Sequence, residues 1–213
     1  GSTDGSIPKV RGLYPQVKIL ENEENLGFAA ANNRAFRRMK GRYALLLNSD
    51  TCLTPGAVDT LYAFMETHPK AAMACGQLLN RDGSRQHSFA RFPSPLSLLF
   101  NDSLLQILWP KRYPSKRQRY SEPVEIDSCI GACMMVRKGA MDQVGFLDER
   151  YFFFLEETDW AREMKRAGWK SFFIPKAEIY HFQGATVGGG SDGRILFYRS
   201  RYAYFQKWYP RAY

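Results

Sequence analysis

No stretch of this chain reaches the roughly 20 consecutive apolar residues that a membrane-spanning helix requires. The run Tyr43-Ala-Leu-Leu-Leu47 has the length of a buried strand instead. Cysteine is scarce: Cys52, Cys75, Cys129 and Cys133 include no CxxC pair, which argues against a zinc site. Each lies in an apolar segment, as a small core hydrophobe does in a reducing compartment, and this points to the cytoplasm. The three histidines are not paired with cysteine at zinc-finger spacing. There is no aromatic RNP pattern and no recognition-helix signature, so no nucleic-acid module is legible. No internal repeat is visible. Acidic residues are in deficit, 21 against 30 Lys and Arg, leaving a net charge of +9.

What is present is a full globular composition. The 213 residues are 45% hydrophobic, with 15 Phe, 12 Tyr and 4 Trp, enough for one large domain with its own core. The positive charge concentrates in Lys111–Arg119 (KRYPSKRQR) and in Arg194–Arg211. Such runs serve either as a solvated basic face or as a seat for an anion, whether an acidic membrane surface or a phosphorylated small molecule.

The chain falls into three stretches of a single domain, 1–79, 80–125 and 126–213. In the first, Val17-Lys-Ile-Leu20 reads as a short strand, Glu21–Leu26 as a polar loop, and Ala29–Lys40 as a helix with a basic C-terminal end. Tyr43–Leu47 follows as a central parallel strand, Pro55 opens a helix to about His68, and Ala71–Cys75 is the next strand. This βαβα rhythm predicts a parallel sheet flanked by helices. Residues 80–125 are irregular and carry Pro93, Pro95, Pro110, Pro114 and Pro123. Their one apolar stretch, Leu96–Trp109, reads either as an interfacial amphipathic segment or as a helix packed on the domain. In the third stretch Ile130–Val136 is a buried strand, Lys138–Val144 a helix, Lys170–Pro175 and Ala177–His181 two short strands, and Gly184–Gly193 a glycine-rich loop. The tail alternates basic and aromatic residues.

Three places carry chemistry. Asn48-Ser49-Asp50 ends an apolar strand, where ligands bind in open parallel sheets, and a carboxylate there can hold a divalent cation against phosphate oxygens. The same three residue types also make ordinary turns. Glu156, Glu157 and Asp159 follow an aromatic run. Apolar surroundings and crowding raise carboxyl pKa values, which is how a general base is tuned. The alternative is a helix N-terminus decorated with acids and capped by Thr158. His181 closes a strand, with nothing local to make it a ligand.

In order, the chain reads Asn25-Leu-Gly-Phe28, Asn32-Asn33, Leu47-Asn-Ser-Asp50, Gly131-Ala132, Gly145-Phe-Leu-Asp-Glu149, Phe152-Phe-Phe-Leu-Glu-Glu-Thr-Asp159, Arg162, Gly168-Trp169 and His181. This ordered set resembles the family 2 glycosyltransferases, specifically the rhamnosyltransferase-like branch that builds bacterial surface polysaccharides. The resemblance implies a GT-A fold, α/β with a Rossmann-like, mostly parallel sheet and flanking helices. It implies inverting transfer of a sugar, rhamnose being the branch's commonest, from a dTDP- or UDP-sugar to a hydroxyl of a saccharide or lipid-linked acceptor. Asp50 would bind Mn²⁺ or Mg²⁺ with His181 as a late metal ligand, and Asn48 stands where the family usually has a first Asp. Glu157 would be the general base, with Glu156 beside it and Asp159 and Arg162 as a supporting pair. Asn25, Gly27, Phe28 and Asn32 would lie near the nucleotide, and Gly131, Ala132 and Trp160 on the acceptor side. The resemblance also implies work at the inner face of the cytoplasmic membrane. The competing readings are a catalytically silent fragment and a basic module for a membrane surface or nucleic acid.

Gly1-Ser2-Thr3-Asp4-Gly5-Ser6 reads either as a cloning scar or as the latter part of the family's Asp-Asn-x-Ser-x-Asp-Gly-Ser stretch. The second reading places Asp4 at the nucleotide and has two strands of the family's sheet precede Gly1. A sheet lacking them would expose an apolar edge and favour a homo-oligomer.

Overall fold

A computed structural model describes residues 1–95, 118–182 and 191–210. The stretch Leu96–Trp109, most of Lys111–Arg119 and most of the Gly184–Gly193 loop lie outside the described residues.

Helix α1 (Ser6–Leu13) is followed by α2 (Gly27–Phe36), β1 (Tyr43–Leu47), β2 (Thr51–Leu53), α3 (Ala57–Thr67) and β3 (Ala71–Leu79). Short strands β4 (Phe89–Ala90), β5 (Val124–Ile126) and β6 (Ser128–Cys129) lead to β7 (Cys133–Arg137). Then come α4 (Lys138–Val144), α5 (Glu156–Arg166), β8 (Lys170–His181) and α6 (Ser191–Trp208). The main sheet runs β1-β7-β3-β8-β2, with β5 also on β8, and β4 pairs β6 in a small second sheet.

Side-chain alternation along the strands fills a core on each face. Met73 and Cys75 of β3 and Met134 and Val136 of β7 meet Ala29 and Phe36 of α2, Met141 of α4, and Trp160 and Met164 of α5. Ala74, Leu78, Cys133 and Met135 point the other way, onto Leu61 and Met65 of α3. All nine residues of β3 are buried, so this strand is the centre of the molecule.

Several expectations shift. Among the described strands β1 lies at an edge of the sheet rather than at its centre: it pairs β7 alone, antiparallel, and Leu47 is left exposed. The sheet is mixed, since only β3–β8 is parallel among the described pairs. Val17–Leu20 is irregular because it finds no ladder partner among the described strands. α2 ends at Phe36, four residues short of Lys40. The two short strands around Pro175 are one strand, β8. Its register on β3 jumps from Gly76↔Ile174 to Gln77↔Glu178, so Pro175, Lys176 and Ala177 bulge out where proline's missing N–H costs no ladder bond. A Cβ at Gly76 would collide with the Ala177 carbonyl, so the bulge needs glycine opposite it. Cys75, Cys129 and Cys133 are core residues, but Cys52 is exposed on the short strand β2.

Candidate active site

The turn Asn48-Ser49-Asp50 joins β1 to β2 across the end of the sheet and is tied at both ends. The Asn48 N–H donates to the Ala132 carbonyl (2.9 Å), and the Phe182 N–H donates to the Asp50 carbonyl (2.8 Å). The Thr51 hydroxyl donates back to the Asn48 carbonyl (2.6 Å). Because Thr51 pairs His181 in the β2–β8 ladder, the side chains of Asp50 and His181 meet, with Asp50 Oδ1 3.5 Å from His181 Nε2. The side chains are only 10% and 11% exposed. Asp50 Oδ1 is buried without a hydrogen-bond partner.

His181 is aimed by a residue that carries no local signal in the sequence. His181 Nδ1 lies 3.0 Å from Gln86 Oε1, and Gln86 Nε2 donates to the His181 carbonyl (2.6 Å). An amide oxygen can only accept, so Nδ1 carries the proton and Nε2 presents its lone pair towards Asp50. A desolvated, unpartnered carboxylate oxygen beside an oriented imidazole lone pair fits a divalent cation. Among the described residues no group of three or more His, Cys, Asp or Glu could hold a metal ion. A cation here would therefore take Asp50 and His181 and complete its shell with phosphate and water oxygens, as Mg²⁺ and Mn²⁺ do at nucleotide sites.

A second element closes over the first. Gly27 opens α2 at φ +76°, and its N–H donates to Asn25 Oδ1 (3.0 Å). A Cβ there would strike the Phe152 carbonyl, which accepts from the Phe28 N–H (2.8 Å). Only glycine allows that approach. The Phe28 ring packs edge-on against Phe153 (6.5 Å) and faces Gly131. Asn32 donates to the Phe28 carbonyl (2.9 Å) one turn back. Asn25, Gly27, Phe28, Asn32, Gly131, Ala132 and Asn48 thus form one contiguous wall between the Asp50 turn and the aromatic segment. Asp4 is exposed and accepts from the Ser6 N–H (3.0 Å) at the start of α1, while Gly1 packs on Glu24 and Asn25.

Phe154 and Leu155 both take left-handed backbone, φ +71° and +68°. Bulky residues pay for this conformation, of order 1–3 kcal/mol each, and such strain gathers at functional sites. It turns the chain sharply into α5, so Glu156 and Glu157 start the helix with Leu155 rather than Thr158 at the cap. Thr158 is buried against Ser128. Burial drives the pKa of both glutamates up, and the neighbouring charge of Glu157 pushes Glu156 further. Glu156 is buried, with Oε2 unpartnered. Glu156 is the more deeply buried of the two, so its charged form costs more and a shared proton favours it over the half-buried Glu157.

This arrangement has a stability signature. A carboxyl raised in the folded state binds more protons there than in the unfolded chain. Stability is then full below the ordinary value of 4.5 and falls as pH rises towards the folded value. Denaturant midpoints of the wild-type chain are expected to decline from pH 5 to pH 8, and Glu156→Gln to flatten that decline. Equal slopes in the two proteins would contradict the assignment.

Two residues expected at the site belong to its support. Trp160 is 1% exposed, stacks on Phe36 (5.5 Å) and donates to the Gly145 carbonyl (2.8 Å), so it cannot touch an acceptor. Asp159 is equally buried and bonds not to Arg162 but to α6. It accepts from Lys207 Nζ (2.6 Å), Trp208 Nε1 (2.6 Å) and the Tyr151 hydroxyl (3.2 Å). Arg162 lies over the Trp208 ring (4.3 Å) and donates to the Tyr204 hydroxyl. These contacts clamp α6 to the helix that carries the acid pair. Lys207→Met strands the Asp159 charge and is expected to lower unfolding free energy by about 3 kcal/mol, read from the guanidinium midpoint. A change below about 1 kcal/mol would show that the pair carries little. Asn33 supports α2 in the same way, pairing its amide with Leu147 N–H and C=O (3.1 and 2.8 Å).

The chain resembles proteins of known activity in sequence and in shape. An N-acetylglucosaminyl-diphospho-decaprenol L-rhamnosyltransferase of Mycobacterium tuberculosis is 31% identical over 203 residues, covering 88% of this chain. The chain spans 66% of that protein's length. GalNAc-T7, solved with UDP, GalNAc and Mn²⁺, superposes with a TM-score of 0.65 at 14% identity, over 98% of this chain and 40% of that one. The mannosyltransferase PcManGT of Pyrobaculum calidifontis, solved with GDP-Man and Mn²⁺, gives 0.62 at 15% identity, over 97% of this chain and 52% of that one. Those likenesses establish a GT-A fold, α/β with a mixed sheet and flanking helices. Residues 1–145 match the family model of glycosyl transferase family 2, and the chain belongs to that family.

Proposed function

We propose that this domain transfers a sugar, with inversion, from a nucleotide-sugar to a hydroxyl of a lipid-linked saccharide. One observation carries the reading: the buried, unpartnered Asp50 oxygen facing the oriented Nε2 of His181. Two adjacent acids, Glu156 buried and Glu157 half-buried, whose carboxyls desolvation shifts upward, add on a strained turn the base the reaction needs. Asp50 and His181 would hold Mn²⁺ or Mg²⁺, which when bound stabilises charge on the departing diphosphate. Asn48, Asn25, Gly27, Phe28, Asn32 and Asp4 flank the donor, dTDP- or UDP-linked, and Gly131 and Ala132 face the acceptor.

In the transfer the Glu157 carboxylate accepts the proton of the incoming hydroxyl. The acceptor oxygen bonds to the anomeric carbon as the bond from that carbon to the diphosphate breaks, and the nucleoside diphosphate leaves with the electron pair. Neutral Glu156 spares Glu157 a second adjacent negative charge. Rhamnose is the favoured sugar because the mycobacterial relative is a rhamnosyltransferase. The acceptor in that relative's name, N-acetylglucosamine on a decaprenyl diphosphate, sets the acceptor class.

The test is product formation. The chain is incubated with Mn²⁺, dTDP-rhamnose or a UDP-hexose, and N-acetylglucosamine on a short prenyl diphosphate, and products are followed by mass spectrometry. A disaccharide formed only with metal and of inverted anomeric configuration is the expected result. Donor hydrolysis alone, or a retained configuration, would contradict the proposal.

A further inference from the structure

A cleft of about 420 Å³ beside the acid segment has a chemistry that the Asp50–His181 site leaves unused. It is lined by Arg150, Phe152, Leu196, Arg199 and Ser200. Ser200 donates to the Phe153 carbonyl (2.7 Å), and Phe154 meets Phe197 edge-on (5.8 Å). These contacts fix α6 against the segment that leads into Glu156. The Arg150 guanidinium is held by both oxygens of Asp148 (2.6–3.1 Å) with its side chain 58% exposed. Arg199 is exposed and has no hydrogen bond or ion pair among the described residues. One cation is thus anchored at the cleft and a second is left unmatched.

The helix surface around Arg199 is apolar. Ile195, Tyr198, Arg199 and Tyr202 recur at i, i+3, i+4 and i+7 and share one face. Ile195 is 52% exposed, Tyr198 62% and Tyr202 49%. Large apolar side chains kept in water on either side of an unpaired guanidinium suit a ligand with an anionic head and a hydrocarbon tail. A nucleotide-sugar has no such tail, and its diphosphate is served by the cation at Asp50. A saccharide hydroxyl uses neither feature.

We infer that this cleft seats the acceptor's lipid carrier. The Arg199 guanidinium, with Arg150 beside it, takes the diphosphate of a polyprenyl-linked saccharide. Ile195, Tyr198 and Tyr202 take the first part of the hydrocarbon chain over the roughly 10 Å that seven helical residues span. The sugar of the acceptor then extends past Phe152 towards Glu157. The inference rests on the sugar-transfer reading above and adds the site at which the carrier is recognised.

Calorimetry on the whole chain in EDTA tests it without the metal site. The probes are farnesyl diphosphate below its micelle concentration, farnesol and inorganic diphosphate. Farnesyl diphosphate is expected to bind saturably, at least tenfold tighter than either other probe. Arg199→Gln should weaken it at least tenfold, and Arg199→Lys should restore part of the loss. Replacing both Tyr198 and Tyr202 with serine should narrow the gap to inorganic diphosphate. Each variant should keep the wild-type melting temperature, since these side chains are exposed. UDP and dTDP affinity in Mn²⁺ should change less than twofold in Arg199→Gln.

The inference is overturned by unchanged farnesyl diphosphate affinity in Arg199→Gln, or by inorganic diphosphate binding as tightly as the prenyl probe. It is also overturned if nucleotide affinity falls in parallel, because the cleft would then belong to the donor. A wild-type chain that binds no nucleotide in Mn²⁺ refutes the transfer reading alone, because the prenyl titration contains no metal and no nucleotide.

Discussion

Glu157→Gln is expected to lower kcat about a thousandfold while nucleotide affinity changes less than twofold. General-base catalysis contributes typically about 10²–10⁴ in rate, and glutamine keeps the shape of the side chain without its basicity. The contrast with Glu156→Gln gives the prediction its edge. Burial raises both carboxyls, and the charge of Glu157 keeps Glu156 protonated longer, so an amide at 156 mimics the state the site already holds. That variant should retain at least a tenth of wild-type turnover. The wild-type rate should also fall as pH drops below the Glu157 value, pushed up to about 7, and this acid limb should vanish from the residual rate of Glu157→Gln. If Glu156→Gln is the dead variant and Glu157→Gln the active one, the roles are reversed and the assignment fails. Measured kcat and nucleotide Kd for the two variants decide it.

Asp50→Asn carries the second large effect, and its signature is a split between function and stability. The carboxylate oxygen facing His181 is buried with no donor. Desolvation of that oxygen is a cost to the folded chain unless a cation offsets it. Asparagine removes the charge, so the melting temperature of the metal-free chain should stay level or rise. Nucleotide affinity in Mn²⁺ should meanwhile drop about a hundredfold, to the value seen in EDTA. A mutation that stabilises the fold and disables the site is the expected mark of a residue kept for binding. His181→Ala should weaken the same affinity with a smaller loss. A melting temperature that collapses in Asp50→Asn would show that the carboxylate holds the turn together instead.

The parts of this architecture that depend on local pattern are legible in the sequence. Tyr43–Leu47 is a strand because it is a short continuous apolar run, and Lys138–Val144 is a helix of the expected length. Position within the sheet is a different matter. Whether β1 lies at the centre or the edge depends on which strands come to pair with it, and five apolar side chains read the same in either place. Pro175 illustrates the limit from the other side. Proline normally ends a strand, yet here the partner strand offers Gly76, and the bulge lets β8 run on to His181. Asp50, His181 and the acid pair stand out by residue type, whereas the residues that aim them do not. Gln86 sits in a polar stretch 95 residues from His181, and Lys207 finds Asp159 across 48. Such long-range partners are set by topology. The left-handed turn at Phe154 and Leu155 is hidden for another reason: aromatic and leucine side chains are poor turn signals, and tertiary contacts force them into it. Trp160 and Asp159 look like site residues in the sequence because they share a motif with the glutamates. Tertiary packing, which the motif does not encode, puts Trp160 into the core against Phe36 and ties Asp159 to Lys207 and Trp208 of α6.

The account stands on a cation held by Asp50 and His181 joining the nucleotide to the protein. Calorimetric titration of UDP and dTDP into the wild-type chain, first with Mn²⁺ and then with EDTA, tests this most directly. Saturable binding of at least one nucleotide in Mn²⁺, weakened at least tenfold in EDTA and equally weakened by Asp50→Asn, is the predicted result. Affinity that is the same with and without metal, or untouched by Asp50→Asn, would contradict it.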